Sequence, residues 1–329
     1  MAQLILEADR LGLSGAVILV GVSGGADSVS LLRGLHALAE QAKLRLIAAH
    51  LNHAMRPGVA DEDAAWIVEL CGRLVIPIVV ETVDVPAQAV ERRLNIEEAA
   101  RTARYEFFVR AARAQECTHV AVAHTADDQV ETVLHHLFRG TGLAGLRGMQ
   151  AARPLAEGLT LIRPLLRIRR AQIEAWLGEI AQDFRTDATN ADQSRTRNRI
   201  RHSVLPALDR EFGAQVRDSI LRMAEQAREL QSTIEELAEC LFNRCVEDET
   251  PDLVRLNAEI LEDQPRHLVR EVFVCLWKRK GWPRQAVGFD DWDRLAHLVS
   301  ETGSATLPGN IAVTRRGKLL VIRADGANR

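Results

Sequence analysis

Apolar residues fall along the first half of the chain in short continuous runs that alternate with stretches of helical spacing. Residues 16–21, Ala-Val-Ile-Leu-Val-Gly, read as a buried strand. Residues 29–40 then carry Leu31, Leu32, Leu35 and Leu38 at helical intervals. The same alternation recurs. Residues 44–50 predict a second strand, and 61–74 a helix with Ala64, Ala65, Val68 and Cys71 on one face. Residues 76–83 predict a third strand, and 95–108 begin another helix. Residues 120–123 form a fourth strand that runs into a helix ending near Arg139, broken at Gly140-Thr141-Gly142. A fifth strand is predicted at 159–162, and residues 1–15 read as a short leading helix and turn. Strands alternating with helices predict an α/β fold, a doubly wound and mostly parallel sheet covered on both faces.

From Ile168 this alternation stops. Residues 170–177 predict a short helix, 186–190 a loop, and 204–245 a long amphipathic segment readable as one helix or two. Residues 247–251 read as a break. Helical patterns at about 265–280 and 289–300 precede a β-hairpin, with strand patterns at 305–307, 311–314 and 318–323 and turns at Gly309 and Arg316-Gly317. The organisation predicted is an α/β domain over 1–210, a connecting helical segment over 211–245, and a small, mainly helical C-terminal domain over 246–329 ending in a β-hairpin. No internal repeat or low-complexity tract is visible.

A hydrophobic content of 47% supplies ample core for the two domains that 329 residues suggest. No apolar run approaches the roughly 18 residues of a membrane span. The first ten residues carry acids and no long apolar stretch, unlike a secretory signal. Cys71, Cys117, Cys240, Cys245 and Cys275 form no C-x-x-C pair and read as reduced thiols of a cytoplasmic protein.

The net charge of −3 hides an asymmetry. Only four of the 42 basic residues are lysines, and residues 151–210 hold eleven arginines against seven acids. A preference for arginine codons explains the first fact. The clustering, at 163–170 and 195–202, instead suggests an anionic polymer. With only 4% aromatics, stacking on single-stranded bases is not indicated, and backbone recognition of a folded RNA fits better.

Three stretches carry candidate chemistry. Ser23-Gly24-Gly25-Ala26-Asp27-Ser28 follows the first strand and opens a helix, the layout that aims backbone N–H groups at a phosphate. A Gly-Gly turn can be merely structural, and the string is neither a Walker A loop nor a dinucleotide fingerprint. Asp27 beside phosphates implies Mg²⁺. His124-Thr125-Ala126-Asp127-Asp128-Gln129-Val130-Glu131 starts the helix after the fourth strand. Asp127, Asp128 and Glu131 can converge on one side there. Acids in a first turn also complement the helix dipole, but beside a phosphate site such a patch suits a metal or a cationic substrate. His50 and His53 flank Asn52 at the end of the second strand. They lack zinc spacing and read as hydrogen-bonding groups. Arg101 and Arg104 share a helix face, which solvent alone would also explain.

The Ser23–Ser28 string resembles the pyrophosphate loop of the N-type ATP pyrophosphatases. With His50-Leu-Asn-His53 and Arg56, Glu98 through Arg104-Tyr105, the 124–132 string, Arg139-Gly140-Thr-Gly142, Arg163-Pro-Leu165, Asp187 with Asn190, and Arg197-Asn-Arg-Ile-Arg-His202 in order, the chain resembles the tRNA(Ile)-lysidine synthetase family over about residues 16–210. Ending near residue 329, it is similar to the shorter members.

The resemblance implies a fold like that of adenine-nucleotide hydrolases and a two-step reaction. ATP adenylates the C2 oxygen of the wobble cytidine in isoleucine tRNA with a CAU anticodon. The ε-amine of free L-lysine then displaces AMP and forms lysidine, so the anticodon reads AUA instead of AUG. It further implies that Ser23, Gly24, Gly25, Ala26, Asp27 and Ser28 bind ATP, with Asp27 on Mg²⁺. Asp128 and Glu131 would hold the lysine, of which on the order of one in a thousand is neutral at pH 7. Asp127 or His124 would orient it or relay a proton. His50, Asn52, His53, Arg56, Arg104, Arg163, Arg197 and Arg201 are the candidates for tRNA or nucleotide contact, and the C-terminal domain is expected to touch tRNA. No membrane partner is implied, and a homodimer is left open. A tRNA thiolation enzyme shares the loop but usually needs paired cysteines, and Cys71 and Cys117 stand apart.

Overall fold

The computed structural model describes residues 2–54, 59–185, 196–284 and 286–324. The chain forms two compact units, Met1–Ala224 and Glu225–Arg329.

The first unit opens with α1 (Ala2–Arg10), β1 (Val17–Gly21), α2 (Ala26–Leu38), β2 (Arg45–Asn52), α3 (Val59–Arg73) and β3 (Ile78–Thr82). It continues through α4 (Val85–Arg92), α5 (Ile96–Ala114), β4 (His119–Ala121), α6 (Ala126–Phe138), α7 (Leu143–Leu146), β5 (Ala152–Ala156), β6 (Leu159–Ile162) and α8 (Arg170–Glu179). After α9 (Thr196–Arg199) come a π-helical turn (Ile200–Val204), α10 (Leu205–Phe212) and α11 (Gln215–Cys245), which belongs to this unit only as far as Ala224. The amphipathic segment is therefore two helices, parted at Gly213, where φ is +80°.

The six strands order as β3-β2-β1-β4-β6-β5, parallel except for β5. β1 is buried on both faces, and its residues alternate between two cores. Ile18 and Val20 join a cluster with Leu31, Leu35 and Ile67, whereas Leu19 joins Phe107, Phe108 and Val120 on the other side. That period of two is what a strand covered by helices on both faces requires. The chain proceeds from β1 outward to β3 and then returns to the other side of β1 with β4. The crevice at the C-terminal ends of β1 and β4 is thus a topological switch point, the usual place for a ligand in such sheets.

Five elements here were not foreseen: α4, α7, α9, the π-helical turn and β5. The last, Ala-Arg-Pro-Leu-Ala, contains Pro154, which a sheet tolerates only at an edge, and β5 is the edge.

The second unit holds β7 (Val246–Glu249), β8 (Leu253–Asn257), α12 (Glu259–Glu262), α13 (Arg266–Lys280), α14 (Phe289–Leu298), β9 (Ser304–Leu307), β10 (Ile311–Arg316) and β11 (Leu319–Ala324). The expected hairpin is β10–β11, but it belongs to a five-stranded antiparallel sheet, β7-β8-β11-β10-β9. β7 occupies the stretch read as a break. Its sequence, Val-Glu-Asp-Glu, has no strand propensity to speak of, and pairing with β8 imposes the conformation. Buried Trp277 packs edge-on against Trp282 and Trp292, at centroid distances of 5.0 and 5.4 Å. Among the described residues no helix is long and apolar enough to cross a membrane.

Candidate active site

The glycine loop leaves β1 and turns into α2. Gly24 has φ +89°, a conformation that side chains resist. Its carbonyl accepts the backbone N–H of Arg185 at 2.9 Å. Gly25 is the N-cap of α2 and offers no side-chain cap, so the helix's first N–H groups are left for another acceptor. Two serines brace the loop. The Ser23 N–H donates to Ser28 Oγ at 3.1 Å, and the Ser28 hydroxyl donates to the Gly25 carbonyl at 3.0 Å. From β2, His50 donates Nδ1–H to the Val22 carbonyl at 2.9 Å and pins the strand end that feeds the loop.

The acidic string leaves β4, the neighbour of β1. Thr125 caps α6, and its N–H and hydroxyl both donate to Asp128 Oδ2, at 2.8 and 3.0 Å. The pattern predicted an anionic patch suited to a metal or a cationic substrate, and each of its carboxylates is matched by an arginine. Glu131, only 1% exposed, accepts Arg201 Nε at 2.6 Å, Arg201 Nη2 at 3.1 Å and Arg197 Nε at 3.2 Å. Asp128 Oδ1 accepts Arg201 Nη2 at 3.2 Å. Arg170 Nη2 grips Asp27 at 2.8 Å, with its Nε at 3.2 Å. Asp127 accepts the α8 backbone N–H of Arg170 at 2.8 Å and Arg217 Nη1 at 3.1 Å. Both Asp127 oxygens thus serve as tertiary ties, one of them capping α8. A carboxylate at this depth stays ionised only when paired or well hydrogen-bonded, and that is why the patch is not bare.

Burial raises the Asp27 pKa above its usual value, and the Arg170 contact only partly offsets this. For Asp128 burial acts in the same direction, but the Thr125 N–H and the neighbouring cations outweigh it, and the net shift is downward. His124 lies next to this cluster, and its Nδ1 accepts Arg163 Nε at 3.2 Å. A cavity of about 770 Å³ opens beside it, lined among others by Asn95, Arg101, Met149 and Arg197.

The nucleotide candidates separate in space. His124, Arg163, Arg197 and Arg201 gather at the acidic helix start. His50, Asn52 and His53 lie on the β2 side, where Asn52 ties Asp61 and the Ala54 N–H, both at 2.9 Å. Arg104 Nη2 stands 3.5 Å from His53 Nε2. Arg56, Asp187 and Asn190 lie outside the described residues. Sequence reasoning missed Arg170 as the partner of Asp27, Arg217 as the partner of Asp127, and Arg185 on Asp63 at 2.8 Å. Only the arginine-rich string at 163–170 hinted at any of these. Cys71 and Cys117 belong to the cores on opposite faces of the sheet. Burial pushes the Cys71 thiol up to about 11 and the Cys117 thiol upward as well, so these two are not a pair of reactive thiols.

The histidines carry a pH prediction. Burial, and then the Arg163 charge, pushes His124 down to about 4. Burial and Arg104 push His53 down to about 4. Below about pH 6.5 the unfolded chain takes up protons that these sites refuse. Their stabilising contribution is therefore full above about pH 6.5 and is lost as the pH falls toward 4. The urea midpoint near pH 5 should lie below that near pH 7, and the H53N/H124Q double variant should narrow the gap. Equal midpoints in the wild type would contradict histidines held neutral in the fold.

The parallel sheet with a glycine loop and helix start at its switch point is the arrangement of a PP-loop domain, and a profile of that domain matches residues 3–208. This class implies ATP binding. A tRNA(Ile)-lysidine synthase of Rhodopirellula baltica is 32% identical over 95% of this chain and 91% of its own length. One from Geobacter sulfurreducens is 37% identical over 91% of this chain and 63% of its own length. The chain belongs to the tRNA(Ile)-lysidine synthase family. Among solved structures, a U34-tRNA thiolase from Methanococcus maripaludis superposes with a TM-score of 0.58 over 69% of this chain and 79% of its own, at 17% identity. That likeness concerns the fold.

Proposed function

We propose that the chain ligates L-lysine to C2 of the wobble cytidine of isoleucine tRNA bearing a CAU anticodon, by way of an adenylated tRNA, in the compartment that holds the tRNA pool. The observation that carries this reading is the juxtaposition of two half-sites on neighbouring strands. The uncapped α2 N-terminus with its glycine loop stands after β1, and the Asp128–Glu131 pair stands after β4.

In the first half-reaction the C2 oxygen attacks the α-phosphorus of ATP and pyrophosphate departs. The Ser23–Ser28 loop takes the leaving phosphates on its backbone donors. Mg²⁺ is commonly held by one or two carboxylates together with substrate phosphates, a set that Asp27 suits. The ion would neutralise charge on the departing pyrophosphate. Arg170 donates to Asp27 and holds it in place.

In the second half-reaction the lysine ε-amine, its proton released to solvent, forms the bond to C2 and the C2–O bond to AMP breaks. Asp128 and Glu131 receive the α-ammonium of the lysine where Arg197 and Arg201 now sit. Those arginines pair with the acids beforehand and turn to RNA phosphates afterwards, for which the guanidinium fork suits. The C-terminal unit supplies further contact with the tRNA.

The deciding experiment is the incorporation of labelled L-lysine into isoleucine and methionine CAU tRNAs, side by side, with ATP. Label should enter only the isoleucine tRNA, with one AMP and one pyrophosphate released for each lysine. No label in either tRNA would overturn the proposal.

A further inference from the structure

The contact between Arg163 and His124 assigns a protonation state. A guanidinium has only donors, so the ring atom that receives Arg163 Nε, Nδ1 at 3.2 Å, carries no proton. Arg163 is itself fixed. It follows β6 directly, its backbone N–H donates to the Ala151 carbonyl at 2.8 Å, and its Nη1 donates to the Gln150 carbonyl at 2.6 Å. It is 4% exposed, and among the described residues no carboxylate pairs with it. The pairing of Ala121 with Ile162 in β4 and β6 brings the two strand ends together, so the contact is set by the sheet.

We propose that Arg163 is a positioning residue that fixes His124 as the neutral tautomer with its proton on Nε2, so that His124 is a hydrogen-bond donor to the reacting nucleotide and not the base that takes the lysine proton. The proposal rests on the ligation chemistry above. His124 lines the large cavity together with Arg197, the partner of Glu131, where an acceptor oxygen of the nucleotide gains negative charge as the bond to it breaks. A neutral donor there stabilises that charge without moving a proton. A base would need a free lone pair, and the one nitrogen lone pair of this tautomer is already held by Arg163. The charged groups around the ring are Arg163, Asp128, Arg197 and Arg101. The three arginines oppose a second ring proton, and the one carboxylate that favours it is itself engaged by Thr125 and Arg201.

The test uses the full chain labelled with ¹⁵N-histidine, with the His124 signals assigned by their absence in H124Q. The expected spectrum has a pyridine-type Nδ1 and a pyrrole-type Nε2–H, unchanged between about pH 5.5 and 8. In R163M the two tautomers should mix, and the ring pKa should rise while burial, its first cause, still holds it below the ordinary value of about 6.5.

In lysine incorporation, H124A should lose about 100-fold in kcat, the scale of one lost donor to developing charge. H124Q, which returns an amide N–H near the Nε2 position, should stay within about tenfold of wild type, with KM little changed in both. A proton on Nδ1 in the wild type, a His124 midpoint between about pH 6 and 8 mirrored in the rate profile, or an H124Q as inactive as H124A would overturn the proposal. The wild-type spectrum decides the tautomer even if R163M does not fold. It also decides it if no lysine is incorporated, in which case the proposed function alone falls.

Discussion

Glu131→Gln is expected to abolish lysine transfer, by about 10³-fold or more, while leaving adenylation of the tRNA within about tenfold of wild type. The side chain is almost isosteric, so the change removes charge without opening a cavity. Glu131 receives three N–H bonds from Arg201 and Arg197, and as an amide it can no longer balance either guanidinium or, in the proposed reaction, a lysine ammonium. Removing one member of a buried ion pair is destabilising by up to about 3–5 kcal/mol. Here both arginines keep partial access to solvent, with side chains 40% and 25% exposed, which places the effect at the lower end. The enzyme should therefore fold, release pyrophosphate and accumulate adenylated tRNA. Labelled ATP would reveal the trapped intermediate, and labelled lysine its failure to resolve. Equal loss of both half-reactions would place Glu131 with ATP instead of lysine.

Asp27→Ala should produce the converse defect. Pyrophosphate release should fall by about 10³-fold or more, while affinity for tRNA stays nearly intact. Asp27 lies in the first turn of α2, where an acid already complements the dipole, yet burial raises its pKa. A carboxylate kept in so unfavourable a place, and gripped by Arg170, is doing something that a cap alone would not need. Without it Arg170 loses its partner and the phosphates lose the group proposed to hold Mg²⁺. ATP–pyrophosphate exchange and filter retention of labelled tRNA would separate the two effects. A variant that still modifies tRNA at a wild-type rate would remove Asp27 from the chemistry.

The parts of the fold legible in the sequence were those whose burial is one-dimensional. β1, β2, β4 and β6 are apolar runs because both of their faces are covered. β5 and β7 were opaque because neither carries a strand's composition. Pro154 and the acids of β7 are accepted only because these strands lie at the edges of their sheets. The candidate site divides in the same way. The Ser23–Ser28 loop and the 124–131 string are contiguous, so their chemistry is written in local order. Their arginine partners come from 143 residues away, in Arg170 on Asp27, and from 70 residues away, in Arg201 on Glu131. No spacing encodes such pairs. The arginines could be seen to cluster, and the cluster pointed outward to an RNA, whereas in the folded chain several of them point inward to acids.

β1 and β4 are hydrogen-bonded neighbours, so the interval between the two half-sites is metred by the main-chain ladder, at about 4.8 Å from strand to strand. A ruler made of backbone cannot be recalibrated by exchanging side chains. Substitutions can empty either half-site but cannot bring the halves closer. An amino acid one methylene shorter than lysine, anchored on the same two acids, would hold its amine short of the activated carbon. Fidelity toward the length of the amine would then be a property of the sheet, and altering it would mean rebuilding the anchor.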